Sequence, residues 1–572
     1  MSETQNPDHV ESTTGGQPAP KWANRGKFLL AGLLCIALLA GVGVFVVARA
    51  NSAASARRQQ ASAAADKFLR TWTSGDLSAL PAQTVTGSPT VTSAYSALDL
   101  ALRMDPKTPT TASAHATSSP TAAKLPIKVE LGAPIGSGEL ITVPATVTIA
   151  VPGLGTWRDP VKLRVRNLGN KALIDWSPQM IAPALKAGDH VQLTRTVPAR
   201  AAILGADGQP VPATADVSAL IGTVGPATAA QAKADPTLRA GQLIGQSGLQ
   251  ATSDATLRGA PSGTLAVVDP AGHVASTLAT WAGRAPAPVS TTVNPTMQAA
   301  AAQAISHTSH PSALVAIDTR TGAVLAAASN PPGYPRALLG QYPPGSTFKM
   351  VTLTAALMAG RTLASPTSCT PTATVDGYTL RNAGGESFGT IPLQQAFAVS
   401  CNTSFVHLAE QLGCDIGHAP LSVPSFGCSY PATATGTAYA ASSIGQGTVL
   451  TSPLSIASIA AAAASGTWNQ PHISTGAAPA SHQLPAAVTA GLHGAMRAVV
   501  TSGTGTAANL PGTPVYGKTG TAEHGSGSNP PTDAWFAAFR GNVAVAVVVE
   551  DAGFGATAAL PVATSFLTAV TH

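Results

Sequence analysis

A chain of 572 residues, 45% hydrophobic and only 10% charged, is too long for one ordinary domain and apolar enough to bury a substantial core. Its formal net charge of +6 is spread thinly, with no dense Lys/Arg run, which argues against nucleic acid as a partner. A weakly basic surface near anionic lipid or wall polymer is compatible with that balance.

Residues 1–27 are polar and rich in Gly, Pro and Asn, the composition of a disordered tail. The next 21 residues, 28–48, carry no charge, and at ~1.5 Å per residue they suffice for one membrane-spanning helix. Ala48-Arg49-Ala50 fits a small-x-small cleavage site, but the apolar run exceeds the ~7–15 residues of a signal core, so an uncleaved anchor is the expectation. Lys21, Arg25 and Lys27 before it are balanced by Arg49, Arg57 and Arg58 after it, so charge does not set its orientation.

Downstream, 52–72 reads as a helix with Phe68, Leu69 and Trp72 on one face and Gly75-Asp76 as its stop. Strand-like alternation over 124–151 and 163–176 completes a small α+β domain, 49–178. A second segment, 179–285, mixes short strands with Gly/Pro turns. The remainder, 286–572, is predicted as an α/β-type domain with a largely antiparallel sheet. It holds a hairpin over 312–328 turning at Thr319-Arg320-Thr321-Gly322, a helix from Ser346 to Ala359, and two helices, 393–399 and 403–412, around a break at Ser400-Cys401-Asn402. Three strands follow, 515–521, 534–539 and 543–549, then a closing helix, 560–570. The strand 543–549 is apolar at every position, so both its faces should be covered.

Three short motifs stand in this last third, each found once: Ser346-Thr347-Phe348-Lys349, Ser400-Cys401-Asn402 and Lys518-Thr519-Gly520-Thr521. Residues i and i+3 share a helix face, so Lys349 can reach the Ser346 hydroxyl. A serine is a weak nucleophile until a base takes its proton, and a lysine is a base only when desolvation or nearby positive potential keeps it neutral. Ser400 could relay a proton to a leaving amine, and Asn402 could hold a substrate amide and orient Lys349. Lys518 and Thr519 on a strand point to opposite faces. Lys518 would supply positive field, the Thr519 and Thr521 hydroxyls suit a carboxylate, and Gly520 leaves room for close backbone approach. The Ser346 and Thr521 N–H groups could form an oxyanion hole. Taken singly, the competing readings are plain: Ser346, Ser400 or Asn402 as helix caps and Lys518 as an exposed edge lysine.

The order of S-x-x-K, S-x-N and K-T-G resembles β-lactam-binding acyl-serine enzymes, and the chain is similar to the class B penicillin-binding proteins in particular. Ala316-Ile317-Asp318, Pro344-Gly345-Ser346, Ser443-Ile444-Gly445-Gln446-Gly447, Lys518-Thr519-Gly520-Thr521-Ala522-Glu523 and Ala534-Trp535-Phe536 match that family's style. The resemblance implies a transpeptidase domain over 286–572 and a dimerisation or linker domain over 179–285. For 49–178 it implies a MecA-type domain with a nuclear-transport-factor-like fold. It further implies peptidoglycan D,D-transpeptidase activity through an acyl-enzyme at Ser346, with Lys349, Ser400, Asn402 and Lys518 catalytic and Thr519, Gly520 and Thr521 binding substrate. No cofactor and no metal are expected. The implied partners are peptidoglycan stem peptides, β-lactam antibiotics, the cytoplasmic membrane and other cell-wall synthesis or division proteins. Stem peptides lie outside that membrane, so 49–572 should face outward. The segment after Arg200 departs from the family's usual Gly and Arg-Asn pair, and the middle motif carries Cys401 in place of Asp or Ser.

Of five cysteines, Cys35 lies in the expected anchor, while Cys369, Cys401, Cys414 and Cys428 permit three pairings. Cys369–Cys401 and Cys414–Cys428 are the expected pairs, and the resemblance supports the first; the alternative for Cys401 is a small buried thiol. His407 and His524 show no identifiable carboxylate partner, and Glu523 reads as a surface carboxylate. A β-lactamase is disfavoured because 403–517 offers only Glu410 and Asp415 as acids. A D,D-carboxypeptidase side activity is compatible, since water and amines compete for one acyl-enzyme. A glycosyltransferase domain has neither space nor paired acids after the anchor.

Overall fold

A computed structural model describes the chain except residues 1–25, 104–125, 213–214, 236, 418, 422–435, 477–478, 526–529 and 571–572; the side chains of 26–43, 103, 215–216 and 414 are also outside the description. The expected tail and Cys428 therefore fall outside it almost entirely, as does the Cys414 side chain. The chain divides into two compact units, Met1–Arg195 with Gly263–Thr280, and Thr196–Ser262 with Trp281–His572.

In the first unit, helix α1 (Gly26–Ser74) runs unbroken through the expected anchor and the expected helix at 52–72. Among the described residues, no helix is long and apolar enough to cross a membrane. The last turns of α1 bury Phe68, Leu69 and Trp72, the face the periodicity marked. Helix α2 (Thr90–Arg103) brings Tyr95 against Phe68, Trp72 and Trp176. Strands β1 (Ile127–Leu131), β2 (Leu140–Val151), β3 (Gly155–Leu168) and β4 (Lys171–Ile174) form an antiparallel sheet in sequence order. Strict alternation along β2 buries Ile141, Val143, Ala145, Val147 and Ile149, as a half-covered sheet requires. A separate three-stranded sheet joins β5 (His190–Thr196), β6 (Ser262–Val268) and β7 (Val274–Trp281).

The second unit is built on a five-stranded, wholly antiparallel sheet. Its strands are β8 (Ser312–Asp318), β9 (Val324–Asn330), β10 (Val515–Glu523), β11 (Thr532–Arg540) and β12 (Val543–Val549), in the order β9-β8-β12-β11-β10. All seven residues of β12 are buried, because alternate residues feed two cores. Ala544, Ala546 and Val548 face the larger helical layer, while Val543, Val545, Val547 and Val549 face helix α9 (Ala559–Val570). Strand β10 lies at the sheet's edge, so one of its backbone rows is not consumed by a neighbouring strand. The helical layer contributes α4 (Lys349–Met358), α5 (Leu393–Ala398), α6 (Asn402–Leu412), α7 (Pro453–Ser465) and α8 (Ala486–Ser502); α3 (Pro295–Ser306) packs by α9.

Candidate active site

The nucleophile segment departs from the predicted single helix. Gly345–Phe348 forms a 3-10 turn, and α4 begins only at Lys349. Gly345 has φ +51°, and a Cβ there would come within 2.5 Å of the Thr521 carbonyl oxygen. Only glycine lets the turn lie this close to β10. Its N–H donates to Gly445 O at 2.9 Å, and Trp535 Nε1 donates to Pro343 O at 3.0 Å. Ser346 is therefore no cap: its hydroxyl lies 3.0 Å from Lys349 Nζ.

Lys349 is fully buried. Its Nζ lies 2.7 Å from the Ser400 carbonyl oxygen, 2.7 Å from Asn402 Oδ1 and 3.4 Å from Ser400 Oγ. The Asn402 amide is fixed the same way round by its Nδ2, which donates to Arg381 O at 2.8 Å. A neutral amine has two N–H groups and one lone pair. Two acceptors that cannot donate, Ser400 O and Asn402 Oδ1, take the two N–H groups and leave the lone pair for the Ser346 hydroxyl proton. Burial, and secondarily the charge of Lys518, push the Lys349 amine well below the ordinary lysine range.

Lys518 is equally buried and donates to Ser400 Oγ at 2.9 Å and to Thr519 O at 2.8 Å. Burial pulls its amine down to about 7. Each lysine Nζ sits 5.5 Å from a ring centroid, Lys349 over Phe405 and Lys518 over Phe397. The two rings form an apolar floor that excludes water while attracting a cation through the ring face.

Ser400 sits between α5 and α6 with φ 62°, a region costing a non-glycine residue of order 1–3 kcal/mol. Its carbonyl can thereby turn to Lys349 while its hydroxyl lies between both lysines. Cys401 is bonded to Cys369, the first of the two expected pairs. Neither Ser400 nor Asn402 caps α6; the capping position is Cys401, whose side chain makes no such bond. The Thr519 hydroxyl pairs with Thr504 Oγ1 at 2.6 Å, and Thr521 Oγ1 accepts from Gly555 N at 3.4 Å.

The structure thus brings Ser346, Lys349, Ser400, Asn402 and Lys518 into one connected cluster. Gly520 also has a packing reason: a Cβ there would meet Thr347 Cγ2 at 2.9 Å and Trp535 Cβ at 2.9 Å, so the missing side chain accommodates the nucleophile turn and the neighbouring strand. Both histidines, expected without carboxylates, have them. His407 Nδ1 lies 3.1 Å from Glu410 Oε2, and His524 Nε2 lies 2.9 Å from Asp551 Oδ1 and 3.2 Å from Asp533 Oδ1. Glu410 lies one turn along α6 from His407, whereas the partners of His524 were hidden because the ends of β10 and β12 meet the start of β11 only in the folded sheet. Among the described residues, His524, Asp533 and Asp551 are the one grouping whose ligand atoms could hold a metal. Glu523 is exposed at its strand end.

Asn382 escaped the sequence reading altogether. It lies after a short strand, Tyr378–Arg381, and its amide is buried against the start of α6. A turn-type Asn before Ala383-Gly384-Gly385 gives no local sign of that role.

The chain matches the family model of the penicillin binding protein transpeptidase domain over residues 312–571 and that of the penicillin-binding protein dimerisation domain over 199–288. It is similar to the peptidoglycan D,D-transpeptidase PbpA of Mycobacterium tuberculosis, 32% identical over 336 residues, which cover 46% of this chain and 67% of that protein. PbpA of Mycolicibacterium smegmatis is 36% identical over 255 residues, 38% of this chain and 52% of that protein. Among solved structures, Pseudomonas aeruginosa PBP2 in complex with WCK 5153 shares the fold, with a TM-score of 0.55 and 22% identity over 66% of this chain and 96% of that one.

Proposed function

The chain belongs to the class B penicillin-binding proteins, the D,D-transpeptidase branch, and from that premise we propose that it cross-links peptidoglycan through an acyl-enzyme at Ser346. The observation that carries this reading is the 3.0 Å approach of a desolvated Lys349 amine to the Ser346 hydroxyl.

In the proposed reaction, Lys349 Nζ takes the Ser346 proton as Oγ attacks the carbonyl between the two terminal D-alanines. The new C–O bond yields a tetrahedral oxyanion facing the Ser346 and Thr521 N–H groups. Collapse breaks the C–N bond, and the proton passes through Ser400 Oγ to the departing amine. The acceptor amine then attacks the ester, returning the Ser346 proton by the reverse route. Lys518 attracts the substrate's terminal carboxylate, assisted by Thr519 and Thr521. The edge of β10 offers backbone groups along which a stem peptide can lie. Water reaching the same ester would give a D,D-carboxypeptidase side activity.

The same reading takes residues 28–48 as a single membrane anchor, 1–27 as a cytoplasmic tail and 49–572 as lying outside, adjoining other cell-wall synthesis or division proteins. It assigns 49–178 to a MecA-type, nuclear-transport-factor-like domain and 179–285 to the dimerisation domain, with no glycosyltransferase. The test is intact-protein mass spectrometry after exposure to a labelled penicillin. Wild type should gain one drug mass and hold it for minutes, while Ser346→Ala gains none. Equal labelling of the Ala variant would sink the assignment.

A further inference from the structure

Helix α6 carries Asn402 in its first turn, yet the residue at its capping position is barred from capping, because Cys401 spends its side chain on the bond to Cys369. The first N–H groups of a helix need acceptors from elsewhere. Asn382 supplies them from 20 residues upstream: its Oδ1 accepts from Asn402 N at 2.8 Å and Thr403 N at 3.1 Å. Its Nδ2 donates to Thr370 O and Glu386 O, both at 2.8 Å. Thr370 directly follows Cys369, so the amide and the disulfide fasten the same two segments side by side. The residue before Asn382 completes the arrangement, since Arg381 O accepts from Asn402 Nδ2 and so turns Asn402 Oδ1 toward Lys349.

We propose that Asn382 is a positioning residue for acylation, which caps α6 from outside the helix and thereby holds Ser400 O and Asn402 Oδ1 around Lys349. The inference rests on the transpeptidase reading above. Ser400 lies in left-handed backbone, a conformation that persists only where its surroundings over-determine it. The disulfide restrains the residue after it, and Asn382 restrains the two after that. Without the Asn382 amide, Ser400 can relax, its carbonyl leaves Lys349, and water enters beside the amine. The charged group bearing on Lys349 is Lys518, which Asn382 does not touch, so relief of desolvation is the effect to be read.

The experiment measures the acylation rate of the full-length chain by a fluorescent penicillin across pH, with melting temperature recorded alongside. Asn382→Ala should lose about 10- to 100-fold in rate, the scale of a small misplacement of reacting groups. Its acid limb should move to higher pH, since a less desolvated lysine must be deprotonated at higher pH before it can act. Val562→Ala, on α9 behind the sheet, serves as a control of comparable destabilisation and should leave rate and acid limb unchanged. Asn382→Asp keeps both acceptances at a helix N-terminus, where a carboxylate is favoured, but loses the donations to Thr370 O and Glu386 O; it should acylate faster than the Ala variant. Asn382→Ala within twofold of wild type, an unmoved acid limb, or an Asp variant acylating no better than Ala or, where Ala does not fold, no better than one-hundredth of wild type overturns the proposal. A wild type that fails to acylate sinks instead the transpeptidase reading beneath it.

Discussion

Lys518 Nζ donates to the Ser400 hydroxyl across 2.9 Å, tying the edge strand of the sheet to the turn between two helices 118 residues earlier in the chain. The hydroxyl proposed as proton relay is held on one side by Lys518, proposed to attract a substrate carboxylate, and lies 3.4 Å from Lys349 beside the nucleophile. Both amines lose a proton as pH rises, but the proposed activity depends on them in opposite senses, because one must be neutral and the other charged.

Lys349→Ala should abolish penicillin acylation while leaving the fold intact. Lys349→Arg should do the same, because a guanidinium stays charged and cannot take the Ser346 proton. Stopped-flow acylation of each variant checks this, and near wild-type rates in either would remove Lys349 from the base role.

The pH dependence of acylation in the free enzyme should be bell-shaped. Lys349 must be neutral, and its amine is depressed, so activity falls on the acid side as pH drops through that lowered value. Lys518 must be charged, and its amine titrates at about 7, so activity declines as pH rises beyond it. A bound carboxylate favours the charged form, so the upper limb should lie higher under saturating substrate. Lys518→Arg should carry that limb to higher pH, and Lys518→Ala should lose a factor on the order of 10²–10³. An upper limb unmoved in the Arg variant argues against Lys518 as its source. Since the two lysines interact, the limbs report the pair.

Opening the Cys369–Cys401 bond frees a segment spanning 32 positions, which in the chain-entropy account costs roughly 3–4 kcal/mol of stability. The larger consequence should be kinetic, because Cys401 adjoins both Ser400 and Asn402. Reduction, verified by peptide mapping, should slow acylation severalfold in protein that is still folded. Unchanged acylation in fully reduced protein would show that the hydrogen bonds around Asn382 alone suffice to hold the turn. The same map tests the expected Cys414–Cys428 link.

Gly345→Ala should be costly beyond its size. The residue has φ +51°, and the new methyl would press on Thr521 O at 2.5 Å. Left-handed backbone alone costs a non-glycine residue about 1–2 kcal/mol, and relief of the clash must separate the nucleophile turn from β10. Melting temperature and acylation rate should fall together. A variant with a lower melting temperature but full acylation would show that this contact is structural only.

The sequence by itself determined the elements whose signals are local. Alternation along β2, the unbroken apolar run of β12 and the helix stop at Gly75 are set by neighbours a few residues away, and the fold follows them. The three motifs were likewise legible, because a serine and a lysine three apart on one helical turn declare their geometry. Only the tertiary structure decided what surrounds them. The Phe397 and Phe405 floor that desolvates the lysines, the pairing of Thr519 with Thr504 and the cap that Asn382 lends to α6 join residues from distant parts of the chain. So does the meeting of His524 with Asp533 and Asp551. The direction in which Gly520 needs its empty space depends on which element packs above it. Such features have no short-range signature, because desolvation and hydrogen-bond partners are properties of what the chain brings together rather than of the residue itself.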